Sequence, residues 1–172
     1  NSLSAYFEVT YLNHRSDCDF SNTEQVYATL SACVPDIIVH LGAMSSPRQC
    51  HEDRTLALAA NDCSILSEAI QNLCPQCLFI LTSTDLVYKG DNAPYTASDN
   101  LSVLEASLNL YAYSKQQGER NVIQLERSII LRCSNMLYPG RGKFYDFLFD
   151  SMVNRKVVGL RVDEKMTEGF EN

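Results

Sequence analysis

Three short apolar runs constrain this chain more than any other feature: Ile37-Ile38-Val39-His40-Leu41, Cys77-Leu78-Phe79-Ile80-Leu81 and Ser128-Ile129-Ile130-Leu131-Arg132-Cys133. Each is nearly continuous rather than alternating, as in strands covered on both faces of a parallel sheet. Parallel neighbours need crossovers, and the intervening segments supply helices. Ser21-Asn22-Thr23-Glu24 carries capping chemistry for a helix through about Ala32, which Pro35-Asp36 ends. Residues 52–73 read as one helix, with acids in its first turn, apolar residues from Leu56 to Leu73 at helical spacing, and Pro75 as its stop. Residues 111–125 read as the next. Residues 5–12 mix aromatic and β-branched side chains as a strand would, and beyond the Pro139-Gly140-Arg141-Gly142 break come a helix over 143–153 and a strand over 157–162. This alternation predicts an α/β fold, a doubly wound parallel sheet with right-handed crossovers. With 172 residues and 45% hydrophobic content, one domain over 1–172 is expected, ending in a frayed tail over 162–172.

A net charge of -7 without a basic stripe argues against a sequence-independent grip on nucleic acid and against docking to an anionic membrane by charge. No run of 18 apolar residues occurs, and the N-terminus lacks the basic-then-apolar pattern of a signal peptide, so a cytoplasmic protein is expected. The seven cysteines are an odd set, and several sit inside helix or strand patterns, which favours reduced thiols. Cys74-Pro75-Gln76-Cys77 has no second pair for zinc and reads as packing thiols, while His51 beside Glu52 and Asp53 reads as solvated or capping, so no metal site is expected. Arg48 is a surface residue or a phosphate contact.

Tyr111 and Lys115, four positions apart, share one face of their helix, where an ammonium can favour the phenolate and pull the phenol's pKa toward neutrality. Such a phenol can protonate a developing alkoxide. A hydroxyl at the end of the neighbouring strand, Thr84 or Ser83, would hold the substrate oxygen within reach of it. The polar segment 89–100 after that strand is long enough to invite a functional explanation.

Four ordered segments, Asp17 to Asn22, Pro35 to Ala43, Ser83 to Gly90 and Asn109 to Glu119, resemble extended short-chain dehydrogenases/reductases, most closely those of the dTDP-4-dehydrorhamnose reductase type. The likeness runs over about residues 17–140 and implies a Rossmann-like fold. By that resemblance Thr84, Tyr111 and Lys115 correspond to the catalytic set. Asp19 and Phe20 match the segment flanking the adenine, and Gly42 and Ala43 the backbone beside the cofactor. Lys115 would also bind the nicotinamide ribose next to Tyr111, and Asn61 would lie behind the active site. His14-Arg15 ends the second strand where an acid would grip a bare ribose, and Arg15 can pair with a 2'-phosphate, so NADPH is favoured over NADH. The implied substrate is a nucleotide sugar, and a homodimer is an implied assembly.

The sequence departs from the family in two places. The first strand and the Gly-x-x-Gly-x-x-Gly turn that would meet the pyrophosphate are missing, since the chain opens on Asn1 and its first glycine is Gly42. The C-terminal substrate region is missing beyond Val162-Asp163-Glu164-Lys165. The methionine adenosyltransferase regulatory β subunit resembles the same family, so a non-catalytic binding subunit with a synthetase partner is the alternative expectation.

Overall fold

The computed structural model describes residues 5–13, 16–88, 94–99, 101 and 109–134. All three apolar runs are strands of one parallel sheet, in the order β1 (Ile37–His40), β2 (Leu78–Thr84) and β3 (Ser128–Cys133). The central strand continues past its apolar run through Thr82, Ser83 and Thr84, which pair with Leu131, Arg132 and Cys133. Thr82 Oγ1 donates to the His40 carbonyl at 3.1 Å, stitching β2 to β1 where the apolar side chains end. Thr84 therefore stands at the carboxyl end of the central strand, the edge at which open α/β sheets bind ligands.

Helix α1 (Thr23–Cys33) begins at Asn22, whose side chain accepts from the Gln25 N–H, and ends at Val34 in the left-handed region at φ 41°. The β1–β2 connection holds α2 (Pro47–Glu52), α3 (Arg54–Asn61) and α4 (Ser64–Leu73), and the β2–β3 connection holds α5 (Leu110–Val122). The single helix expected over 52–73 is thus corrected to two, preceded by a short third. Asp53 accepts from the Leu56 N–H at 2.9 Å and starts a new helix, and Cys63 turns to φ 57° while Asp62 accepts from the Ser64 N–H at 2.9 Å. Short polar side chains compete with the helical ladder for backbone donors, and apolar spacing does not record the competition.

Residues 5–12 form no strand. Tyr6 and Tyr11 are 84% and 62% exposed, and among the described residues no neighbouring strand offers them a ladder. Preference for a pleated, half-buried surface makes a strand only where that surface exists. The readings for 143–153, 157–162 and the tail fall outside the described residues, as does much of 89–100.

The main core lies between the sheet and one layer of helices: Val26 and Leu30 of α1, Leu66 and Ile70 of α4, Phe79 and Leu81 of β2, and Val122 of α5. Full burial of a side chain such as Phe79 or Leu81 stabilises the fold by about 1.5–3 kcal/mol. Cys74 and Cys77 join this core, and all seven cysteines carry free thiols. Side chains of opposite parity, Ile37, Val39, Ile129 and Leu131, are 43%, 53%, 43% and 45% exposed, so among the described residues one face of the sheet is covered rather than the two expected. The reason is topological: β1 to β2 to β3 runs one way across the sheet, and right-handed crossovers in one direction land on one face. No helix among the described residues is long and apolar enough to cross a membrane.

Candidate active site

Asn109 caps α5 by accepting from the Ala112 N–H at 3.0 Å, which sets Tyr111 in the first turn and Lys115 one turn later. Gly118 then brings the helix against α3, because a Cβ at 118 would overlap the Asn61 carbonyl oxygen. Asn61, 1% exposed, uses its whole amide there. Its Nδ2 donates to Ser114 Oγ at 2.8 Å and to the Met44 carbonyl at 3.1 Å, and its Oδ1 accepts from the Met44 N–H at 2.8 Å. Ser114 Oγ in turn donates to the Tyr111 carbonyl at 2.8 Å. The residue thus ties the segment after β1 to the helix turn bearing Tyr111.

Of the two hydroxyls left open by the sequence, Thr84 adjoins the Tyr111 phenol and Ser83 donates to the Glu119 carboxylate. Thr84 Oγ1 also accepts from the Leu86 N–H at 3.3 Å, starting a short 3-10 turn over Asp85–Val87. Burial pushes the Tyr111 phenol above its ordinary value; Cys50 and Asp85 add to the rise, and the Thr84 side chain opposes it. Burial holds the Lys115 ammonium below its ordinary value, opposed by Cys63 and Glu119. The ammonium was expected to depress the phenol's pKa. Instead, the phenol is raised, and the charges that act on Lys115 come from Cys63 and Glu119. Helical spacing sets two Cα positions on one face, but packing decides where a long side chain carries its charge.

On the other side of Met44, Phe20, Gly42 and Ala43 line one open cleft of about 440 Å³ together with Gln49 and Leu56. Phe20 stands edge-on to His40, with ring centroids 5.3 Å apart. Met44 also packs with Tyr111 and Tyr113 around Cys50, so the cleft adjoins the Thr84–Tyr111 pair. Asp19 directly precedes Phe20, and its Oδ1 accepts from Ser21 N and Oγ at 2.9 and 2.7 Å, forming the turn before α1. Arg15 lies outside the described residues. Arg48 pairs with Glu52 at 2.8 Å on the surface.

These residues fit a dinucleotide. Lys115 is 3% exposed, yet its ammonium makes no hydrogen bond among the described residues, which suits it to sugar hydroxyls brought by a ligand. Sequence reasoning missed Met44, Ser114, Glu119 and Arg132. Only Glu119 carried a local signal, as an acid four residues after Lys115.

The sequence model of the family described as RmlD substrate binding domain matches residues 3–166. The dTDP-4-dehydrorhamnose reductase of Aggregatibacter actinomycetemcomitans is 26% identical over 160 residues, 92% of this chain and 53% of that protein. Methionine adenosyltransferase 2 subunit beta of Danio rerio is 28% identical over 109 residues, 62% of this chain and 31% of that protein. The chain therefore spans about half or less of the curated relatives it matches. The crystal structure of dTDP-4-dehydrorhamnose reductase from Bacillus anthracis, in complex with NADP, superposes with a TM-score of 0.75 at 24% identity, over 90% of this chain and 56% of that one. The Rossmann-like α/β fold of such reductases is thereby shared.

Proposed function

The chain belongs to the family described as RmlD substrate binding domain, and from that premise we propose that it carries the proton-transfer half of an NADPH-dependent reductase acting on the 4-keto group of a deoxysugar nucleotide. The observation that supports this most is the meeting of Thr84 and Tyr111 at the carboxyl end of β2, with the buried Lys115 one turn further along α5.

Tyr111 donates a proton to the ketone oxygen. A phenol raised by burial keeps its proton at neutral pH and is still a far stronger acid than the aliphatic alcohol that forms, so transfer runs downhill. Thr84 orients that oxygen. Lys115 offers its ammonium, which makes no hydrogen bond among the described residues, to ribose hydroxyls and supplies positive charge where negative charge develops. Phe20, Gly42 and Ala43 line the cleft that would take the adenosine side, and Arg15 would meet a 2'-phosphate. The bound nicotinamide would supply the hydride. Asn61 keeps Met44 and Tyr111 in fixed relation, so the two sides of the site stay aligned.

The test is to incubate the full-length protein with NADPH and a dTDP-4-keto-6-deoxysugar and follow absorbance at about 340 nm, where reduced nicotinamide absorbs. Steady loss of absorbance that requires both substrates supports the reading, and an unchanged trace counts against it. The alignment with the methionine adenosyltransferase subunit favours a second reading, a non-catalytic binding subunit. Co-purification with a synthetase in the absence of turnover would support that one instead.

A further inference from the structure

We propose that Glu119 and Arg132 are positioning residues, a buried clamp that seats Tyr88 and the 94–99 segment against the carboxyl edge of the sheet beside Thr84. The proposal rests on the reductase reading for its kinetic consequence but not for its structural one. Glu119 is 2% exposed, and an isolated carboxylate there would be costly. It is compensated on several sides. Arg132 Nε donates to Oε1 and Oε2, each at 3.1 Å, Nη2 donates to Oε2 at 2.8 Å, and Ser83 donates its hydroxyl.

The guanidinium has a second set of partners, and these lie in the segment after β2. Arg132 Nη1 donates to the Tyr88 hydroxyl at 2.7 Å and to the Ala97 carbonyl at 3.1 Å. The Tyr88 hydroxyl passes the chain on, donating to the Thr96 carbonyl at 3.0 Å, and its ring stacks on Tyr95 at 4.6 Å. A planar fork can satisfy a carboxylate with one edge while its remaining N–H groups reach elsewhere, which an ammonium cannot copy. The inner end of this chain adjoins the chemistry: Ser83 precedes Thr84, and Glu119 lies one turn after Lys115 and favours its charged form. Arg132 stands on β3, whereas Gly42 and Ala43 of the cleft follow β1, so the clamp and the Phe20–Gly42 cleft flank the central strand from opposite sides. A loosened clamp would therefore weaken binding of the sugar nucleotide and leave that of NADPH unchanged.

Three variants of the full-length protein test this by amide hydrogen exchange and by kinetics. Tyr88→Phe removes the two bonds of the Tyr88 hydroxyl and leaves the buried pair and the Arg132–Ala97 bond in place, so exchange across 94–99 is expected to quicken by roughly five- to thirtyfold, the range for losing one or two hydrogen bonds of about 1 kcal/mol each, with α4 unchanged. Arg132→Gln is expected to loosen the same segment more, and Arg132→Lys to recover part of the loss. Where turnover is measurable, KM for the sugar nucleotide rises in Tyr88→Phe while KM for NADPH holds. Exchange over 94–99 equal to that of the parent in Tyr88→Phe overturns the clamp, even if Arg132→Gln fails to fold. A parent without turnover would count against the reductase reading alone, because the exchange measurement needs no catalysis.

Discussion

Replacing Gln116 with methionine or leucine is expected to stabilise this protein. Gln116 is wholly buried on α5, and among the described residues neither Oε1 nor Nε2 of its amide finds a hydrogen-bond partner. An unsatisfied buried amide costs about 1–3 kcal/mol in mutational series, and removing the polar atoms removes that cost. Methionine keeps the unbranched shape, while leucine keeps the bulk in a different outline that neighbours must accommodate. Repacking of that kind usually costs less than about 1.5 kcal/mol, so a net gain of roughly 1–2 kcal/mol is expected, with methionine at the upper end. For a chain of 172 residues, each kcal/mol moves the melting temperature by about 2–4 °C, so a rise of about 2–8 °C is the quantity to measure. Thermal and urea unfolding followed by far-ultraviolet circular dichroism give it directly, with Gln116→Ala as the control that trades the amide for a cavity and should destabilise. A lower melting temperature in both Gln116→Met and Gln116→Leu would refute the reasoning, since it would mean that the amide is satisfied in the folded protein.

Gly118→Ala, which in an exposed helix interior would gain about 1 kcal/mol, is expected to lose about 2–3 kcal/mol here because its Cβ would overlap the Asn61 carbonyl; urea midpoints decide the sign. Burial pushes the Cys63 thiol up to about 11 from 9.0, so its contribution to stability is whole below 9.0 and is lost as pH rises toward 11. Cys63→Ala should flatten the fall in urea midpoint over that window, and a parent midpoint that does not fall there would contradict the shift. In the full-length protein, Tyr111→Phe is expected to cut kcat by about 10²–10⁴-fold with little change in KM for NADPH, and a loss under about tenfold would remove the phenol from the role of proton donor.

The sequence by itself determined the parallel α/β architecture and set Tyr111 and Lys115 on one helix, because a buried strand and a helical turn are periodic patterns that neighbouring residues record. The three apolar runs became β1, β2 and β3, with the first two boundaries shifted by a few residues. Tertiary structure decided everything that depended on a distant partner. Ser83 and Thr84 are adjacent and chemically alike, yet Glu119, 36 positions away from Ser83, engages one hydroxyl while the other meets Tyr111. Lys115 takes its electrostatic setting from Cys63 and Glu119 rather than from the phenol, and Asn61 reaches across 53 positions to Ser114. Asp53 and Cys63 break a helix whose apolar spacing runs on unbroken, since a cap acts on backbone donors that a hydrophobic pattern does not register. The spacing of side chains along the chain is local information, whereas the partner that satisfies a buried polar group is chosen only when the elements pack.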